Sequence, residues 1–166
     1  MSKTLTALPL TLEGFAPYGD VLETLADNRQ PMNNARFERY CDLANVDVGS
    51  KSGGRTSISI ARSRAATPLP YRVDMLERHP DGSQAFMPLA NFQFVLVVAP
   101  AGESVDLQEL AAFVSNGRQG INYHKGVWHM PMAAMKKGEE FLIIDRAGDG
   151  DNCDEFYPGK TIMVDI

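Results

Sequence analysis

Residues 92–99, Phe-Gln-Phe-Val-Leu-Val-Val-Ala, belong to the longest apolar run of the chain and decide its fold class. This run is far too short to cross a bilayer as a helix, which takes about 20 apolar residues. It is apolar on both faces, a pattern typical of a central strand that is covered on both sides. Short strand-like stretches separated by Pro and Gly surround it, and helix signals are few. The sequence therefore predicts a mainly β fold, a sandwich or barrel of antiparallel strands with a few short helices.

Two segments show how strands and helices are predicted from the sequence. Arg55 to Arg62 alternates, with Ile58 and Ile60 on one face, as in a half-buried strand. Asp106 to Ser115 is the clearest helix, with Asp106 near its N-terminus. Its apolar stripe consists of Leu107, Leu110, Ala111 and Val114.

Other segments carry weaker signals. Leu10 to Tyr18 is predicted to hold a short helix with Thr11 as its N-cap. Asn28 to Asn34 is polar and contains Pro, which favours a loop, and Asn122 to His129 has the composition of a strand.

Length and charge limit the possible function classes. A chain of 166 residues with 44% hydrophobic residues suits one domain, residues 1–166, with a core of its own. The net charge of −5 argues against a nucleic-acid partner, because such domains usually carry a basic face. Cys41 and Cys153 form no CxxC pattern, which argues against a zinc knuckle or a disulfide framework. With no visible signal peptide, we expect a cytoplasmic protein that does not contact a membrane.

All three histidines fall in two short stretches. The first is Glu77–Phe86 (ERHPDGSQAF), which contains His79, and the second is Gly120–His129 (GINYHKGVWH), which contains His124 and His129. Burying unpaired polar groups is costly, so a strand that carries histidine beside charged residues usually has a use for it. Imidazoles also suit proton transfer near neutral pH, and we therefore expect one site built from both stretches.

Strand parity refines this expectation. His124 and His129 are five residues apart and would point to opposite faces of an uninterrupted strand. They converge only if Gly126 bends the chain or supports a bulge. Glu77 and His79 share a face, whereas Arg78 points the other way unless the strand ends there.

The spacing Glu77-x-His79-x-x-x-x-Gln84 resembles the first cupin motif, and Lys125-Gly126-Val127-Trp128-His129 resembles the second. More narrowly, the strings FAPYGDV, ERHPDGSQAF, NGRQGINYHKGVWHMP and IDRAGDGDNCDE resemble the ureidoglycolate lyase family over nearly the whole chain. This resemblance implies a cupin-like antiparallel β-barrel or jelly roll and a homodimer. It also implies a carbon–nitrogen lyase that splits (S)-ureidoglycolate into glyoxylate and urea during allantoin breakdown, a step of purine degradation.

Such a reaction needs a base, an acid or donor for the departing urea, and a cation for the substrate carboxylate. The catalytic candidates are His79, His129, Lys125 and His124. The candidates for binding the substrate are Arg78, Gln84, Asn122 and Arg146, with Asp145 and Glu77 as groups that can orient a histidine. Our hypothesis is that His79 and His129 face the cavity and that Lys125 or Arg78 meets the carboxylate.

No organic cofactor is expected. The positions of cupin metal ligands are occupied by Glu77, His79, Gln84 and His129. Glu77 replaces a histidine and Gln84 replaces a glutamate, so this set fits either a borderline divalent ion such as Ni²⁺ or a metal-free hydrogen-bonded site.

Two rival functions remain open at this point. One is a ureidoglycolate amidohydrolase that releases ammonia, which normally needs a metal-bound water. The other is a non-catalytic cupin that binds a small carboxylate, because a fold alone does not imply catalysis. A cupin oxygenase is a more distant possibility, because the motif lacks the three histidines that are usual in such enzymes.

Overall fold

The computed structural model describes residues 3–24 and 28–166. Helical structure among them consists of α1 (Leu12–Phe15) and a 3₁₀ turn (Lys51–Gly53). The strands are, in chain order, β1 (Lys3–Thr6), β2 (Leu8–Pro9), β3 (Gly19–Leu22), β4 (Arg29–Met32), β5 (Phe37–Tyr40), β6 (Arg55–Arg62), β7 (Tyr71–Arg72), β8 (Leu76–Arg78), β9 (Gln84–Pro88), β10 (Phe94–Ala99), β11 (Ala111–Val114), β12 (Gly120–Tyr123), β13 (Trp128–His129), β14 (Ala133–Ala134), β15 (Glu140–Ala147), β16 (Asp154–Phe156) and β17 (Ile162–Asp165).

These strands form stacked sheets. A seven-stranded sheet has the order β16-β8-β13-β10-β11-β2, with β14 also paired to β10. A five-stranded sheet has the order β3-β12-β9-β15-β6, and a three-stranded sheet has the order β1-β17-β7. Strands β4 and β5 form a separate hairpin. Pairing is antiparallel except between β1 and β17 and between β11 and β2.

Strand β10 lies at the centre, as the sequence predicts. Val95 and Val97 pack into a core shared with Leu5 and Val164 of the three-stranded sheet, while Leu96 and its same-face neighbours pack toward the five-stranded sheet. All six residues of β10 are buried. Full burial of each large apolar side chain contributes roughly 1.5–3 kcal/mol. The seven-stranded sheet is thus the middle layer of three.

The prediction of a mainly β, cupin-like fold is confirmed. In the described part of the chain the sheets are open and stacked as a sandwich, and no set of strands closes into a barrel. The short helix also forms where it was expected, with the Thr11 hydroxyl accepting a hydrogen bond from the Gly14 N–H at 3.1 Å. Across residues 3–24 and 28–166, no helix has the length and apolar character that a membrane crossing requires.

The predicted helix at 106–115 is wrong. The Asp106 carboxylate accepts a hydrogen bond from the Gln108 N–H in a turn, and residues 111–114 are strand β11. β11 pairs with β10 along Val95–Val98 and buries Phe113 between the main sheets. The backbone N–H and C=O groups along the edge of the buried strand β10 need hydrogen-bond partners. Pairing with β11 supplies them, and this tertiary requirement outweighs the helical spacing of the apolar residues at 106–115.

Three smaller predictions also need correction. Residues 29–32 of the expected loop at 28–34 are strand β4. The expected strand at 122–129 is interrupted by a turn, so that β12 and β13 belong to different sheets. β6 covers the predicted residues 55–62, but Ile58 and Ile60 are 70% and 63% exposed, because β6 is an edge strand of the five-stranded sheet.

Candidate active site

Two chain crossings between the main sheets meet at one end of the sandwich. The turn at Pro80 and Asp81 carries the chain from β8 in the seven-stranded sheet to β9 in the five-stranded sheet. The turn at residues 124–127 carries it from β12 back to β13. Gly126, with a φ of 77°, donates its N–H to the His79 carbonyl at 2.9 Å. This contact between the crossings brings the two histidine stretches together.

Their side chains converge on a group that we call the histidine cluster, composed of Glu77, His79, Gln84 and His129. Glu77 and His129 lie directly opposite each other on β8 and β13, with Oε1 and Nε2 3.5 Å apart. The ring centroids of His79 and His129 are 5.3 Å apart. One donor atom from each of Glu77, His79 and His129 lies within 4.8 Å of the other two. Gln84 completes the cluster from the facing sheet.

Both imidazoles are held by the same kind of hydrogen bond. His129 donates Nδ1–H to the Val127 carbonyl at 3.0 Å, and His79 donates Nδ1–H to the Asn152 carbonyl at 2.8 Å. A carbonyl oxygen only accepts, so these bonds place the proton on Nδ1 and turn Nε2 toward the cluster. Metal-binding histidines are typically oriented by such a bond from the ring nitrogen that does not bind the metal.

Burial sets the electrostatics of the cluster. His129 is 2% exposed and stacks on Tyr123, with the ring centroids 4.1 Å apart. Burial lowers the pKa of the His129 imidazole and raises the pKa of the Tyr123 hydroxyl. A proton shared with the adjacent His129 imidazole lowers the pKa of the Glu77 carboxyl, against the opposing effect of burial. The carboxylate of Glu77 is therefore ionised near neutral pH.

Among the residues that the structure describes, His129 Nε2 is buried without a hydrogen-bond partner. With its proton on Nδ1, this nitrogen presents a lone pair toward the Glu77 carboxylate, and two acceptors that face each other require a cation between them. A proton or a divalent ion meets this requirement. Two imidazoles and one carboxylate also suit borderline ions such as Zn²⁺ and Ni²⁺. Glu77, His79 and His129 could thus hold a metal.

Gln84 links the cluster to the facing sheet. Its Nε2 donates to Asp145 Oδ2 at 3.3 Å, and its Oε1 lies 3.2 Å from His79 Nε2. A cavity of about 230 Å³ opens here, and its lining includes His79, Gln84, Asp145, Arg146, Asn152 and Cys153. This volume corresponds to about seven liquid waters, which suits a small organic acid.

Arg146 contributes the cation on the cavity wall. Its Nη2 donates to the Lys51 carbonyl at 2.6 Å, and its buried Nε has no hydrogen-bond partner in the described part of the chain. Gly82 makes room for it, because a Cβ at Gly82 would lie 2.8 Å from the Arg146 Cβ. A charged donor without a partner beside a cavity is suited to an anion.

Arg78 lies outside the cluster, on the other face of β8. Its guanidinium donates to Asp154 Oδ2 at 2.8 Å, to the Gly102 carbonyl and to Glu103. It also lies over the Trp128 ring, 5.0 Å from the centroid. This position follows from strand parity and points to a structural role.

Three further predicted site residues belong to a separate group around Asp20. His124 Nε2 lies 3.0 Å from Asp20 Oδ1, and Asn122 Nδ2 donates to Asp20 Oδ2 at 2.9 Å. Lys125 is exposed and lines a second cavity together with Asp20 and His124. Gly126 does bend the chain, yet the turn leaves His124 outside the histidine cluster, where it faces Asp20.

Sequence reasoning missed Tyr123, Asn152 and Cys153 as neighbours of the histidines. The last two lie in the string IDRAGDGDNCDE, which the sequence marks only as one of the stretches that resemble the family. Cys153 Sγ is 3.9 Å from Glu77 Oε2. No residue pattern revealed that this loop folds over His79, because the loop carries no regular periodicity.

Comparisons with known proteins identify the family of the chain. A family model described as ureidoglycolate lyase matches residues 2–165. A relative from Pseudomonas syringae pv. tomato, named ureidoglycolate lyase, is 48% identical over 93% of this chain and 90% of its own length. Relatives with the same name from Burkholderia mallei and Pseudomonas entomophila are each 48% identical, over 92% and 98% of this chain and 88% and 96% of their own lengths. The chain therefore belongs to the ureidoglycolate lyase family.

Proposed function

We propose that this protein is a ureidoglycolate lyase, which eliminates urea from (S)-ureidoglycolate to give glyoxylate in allantoin and purine degradation. The observation that carries the proposal is the cavity whose lining includes His79, Asp145 and Arg146. The family relationship and the names of the relatives support the choice of substrate.

The chemistry defines what the cavity must supply. The reacting carbon carries a hydroxyl, a carboxylate and a urea nitrogen. Loss of the hydroxyl proton forms the carbonyl, the carbon–nitrogen bond breaks, and the urea nitrogen gains a proton. No oxidation or acyl transfer takes place, so proton transfer and charge complementarity are sufficient.

We assign the substrate carboxylate to Arg146. Arg146 lines the cavity and its Nε has no hydrogen-bond partner within residues 3–24 and 28–166, whereas the donors of Arg78 contact Asp154, Gly102 and Glu103. Lys125 lines the other cavity, beside Asp20. This assignment replaces the expectation that Lys125 or Arg78 holds the carboxylate.

We assign proton transfer to the wall formed by His79, Gln84 and Asp145. The Gln84 amide is bonded to Asp145 on one side and lies against His79 on the other, which fixes the groups relative to the cavity. His79 Nε2 can take the hydroxyl proton when no metal is bound. The Asp145 carboxylate is the proton acceptor that remains on this wall if His79 is a ligand.

A divalent ion fits the set of Glu77, His79 and His129, because their donor atoms converge and His129 Nε2 lacks a hydrogen-bond partner among the described residues. When bound, such an ion would act as a Lewis acid on the hydroxyl and carboxylate of the substrate. The residues of the set would then hold and orient the substrate rather than transfer its protons.

The decisive experiment is incubation with racemic ureidoglycolate and identification of both products. Urea and glyoxylate in equal amounts are expected. Ammonia as the nitrogen product would identify an amidohydrolase, and binding without turnover would identify a carboxylate-binding cupin. Arg146→Gln should raise KM for the substrate, whereas the matched control Arg72→Gln, an exposed residue paired with Asp74, should not.

We also propose that the protein is a cytoplasmic homodimer. The exposed Ile58 and Ile60 on edge strand β6 support self-association, since large exposed apolar side chains on an edge strand favour pairing. Light scattering coupled to gel filtration measures the mass directly, and a monomer at micromolar concentration would contradict the proposal.

A further inference from the structure

Three glycines from different segments of the chain surround the Arg146 side chain. A Cβ at Gly82 would lie 2.8 Å from the Arg146 Cβ, and a Cβ at Gly54 would lie 3.2 Å from its Nε. A Cβ at Gly148 would lie 2.9 Å from Nη2 and 3.0 Å from both Cζ and Nη1. A side chain at any of these positions would therefore press on the stem or on the guanidinium of Arg146.

Gly148 differs from the other two because the close atoms around it belong to Arg146. The Cβ positions at Gly54 and Gly82 also lie within 3.0 Å of backbone oxygens. At Gly148 the three nearest atoms in the described part of the chain are all guanidinium atoms. Gly148 is exposed and its φ is not positive, so neither burial nor backbone conformation requires glycine there.

Strand parity alone does not bring the guanidinium to the cavity. Asp145 and Arg146 are successive residues of β15, so their side chains leave the strand on opposite faces. Both nevertheless line the cavity that contains His79. The direction of the Arg146 side chain is therefore set by its neighbours, among them the Lys51 carbonyl, which accepts from Nη2 at 2.6 Å, and Gly148.

These contacts leave one edge of the guanidinium for a ligand. The Gly148 Cβ position is almost equally far from Cζ, Nη1 and Nη2, so it lies over the flat face of the group. Nη2 is bonded to the Lys51 carbonyl, whereas Nε is buried and has no hydrogen-bond partner among residues 3–24 and 28–166. The edge of a fixed guanidinium is the part that matches a carboxylate.

We propose that Gly148 is a positioning residue that keeps the Arg146 guanidinium in place for the substrate carboxylate, so that the site selects small organic acids over their neutral amides. This inference rests on the carboxylate assignment of the proposed function and adds a residue that acts through Arg146. A methyl carbon needs about 3.5 Å of separation from another carbon, so Gly148→Ala should displace the guanidinium by roughly 0.5 Å.

The test compares the binding of glycolate and of its neutral amide, glycolamide, to the full-length protein by titration calorimetry. Gly148→Ala should raise the Kd of glycolate and the KM of ureidoglycolate about three- to tenfold, less than the hundredfold that a 1 Å misplacement can cost. Because only binding is weakened, kcat and the Kd of glycolamide should change less than about twofold. Equal losses for the two ligands, or no glycolate binding by the wild type, would overturn the inference.

Gly159→Ala is the matched control. The φ of Gly159 is not positive either, and no atom of the described residues lies within 4 Å of its Cβ position. We expect this variant to bind glycolate like the wild type, and both variants to unfold at the wild-type urea midpoint. A loss of glycolate binding in Gly159→Ala as large as that in Gly148→Ala would overturn the inference.

A double-mutant cycle shows whether Gly148 acts through Arg146. Glutamine has no guanidinium, so Gly148→Ala should cost no further glycolate affinity when it is combined with Arg146→Gln. Additive losses would contradict the proposal. If Gly148→Ala alone does not fold, recovery of folding in the double variant would still assign the clash to the guanidinium, and failure of both to fold would refute the proposal.

Urea release is measured on the same wild-type preparations. A selective loss of glycolate binding in Gly148→Ala, without urea release by the wild type, would refute the proposed function and leave the positioning role intact. Urea release by the wild type, with unaltered glycolate binding in Gly148→Ala, would refute the positioning role alone.

Discussion

Replacing Arg78 by Met should destabilise the protein by about 3 kcal/mol while leaving kcat/KM nearly unchanged. The bond to Asp154, whose side chain is 48% exposed, contributes about 1.5 kcal/mol. The bond to the Gly102 carbonyl and the contact with the Trp128 ring contribute about 1 and 0.5 kcal/mol. The pair with Glu103 contributes almost nothing, because that side chain is 96% exposed.

Unfolding in urea measures the change in the free energy of unfolding, thermal unfolding measures Tm, and steady-state kinetics measure kcat/KM. For a chain of this size, 3 kcal/mol corresponds to a fall in Tm of about 6–12 °C. Met keeps the unbranched stem over Trp128, so the change isolates the charge and its hydrogen bonds. Kinetics must be recorded well below the Tm of the variant.

Arg72→Met is the matched control. Arg72 also pairs with an aspartate, Asp74, at 2.9 Å, but the two side chains are 61% and 64% exposed. Its stability should change by less than about 0.5 kcal/mol. If Arg78→Met kept its stability and lost tenfold or more in kcat/KM, Arg78 would bind the substrate and the reasoning from strand parity would be refuted.

Three further perturbations test the site and the core. His129→Asn removes a buried member of the histidine cluster that holds Glu77 and His79 in place, and it should lower kcat roughly ten- to a hundredfold, whereas His124→Asn should change it less than about threefold because His124 faces Asp20 outside the cluster; equal losses would contradict the separation of the two histidines. Phe94→Ala should cost about 3–5 kcal/mol in chemical unfolding, because Phe94 is fully buried between the main sheets, and exposed Leu89→Ala should cost less than about 1 kcal/mol. Burial and nearby carboxylates raise the pKa of the Cys153 thiol to about 11, so in metal-free protein its alkylation rate should rise about tenfold per pH unit up to about pH 11; a plateau that begins at about pH 9 would show an unperturbed thiol.

The central strand and the helix cap were predictable because local patterns determine them. Residues 94–99 are apolar at every position, and such a run has to be covered on both faces. Thr11 followed by Gly14 is a local capping interaction that needs no distant partner. In both places the physical cause lies within a few residues.

The prediction of a helix at 106–115 was wrong because the structure of this segment depends on a distant strand. Its apolar spacing fits a helix, but β10 presents an unpaired edge that only another strand can satisfy, and residues 111–114 supply it. Likewise, the alternation at 55–62 predicted a strand correctly but could not show that Ile58 and Ile60 lie on an uncovered edge.

For the site, the sequence placed Glu77, His79 and His129 in one candidate group through their resemblance to the cupin motifs, and strand parity placed Arg78 on the opposite face. Only the tertiary structure decided that His124 faces Asp20, that Arg146 rather than Lys125 lies beside His79, and that Cys153 lies beside Glu77. Spacing along one strand fixes which side chains share a face, because the backbone repeats every two residues. Which loop folds over that face depends on sheet stacking and on contacts between residues far apart in the chain, and no local pattern encodes these.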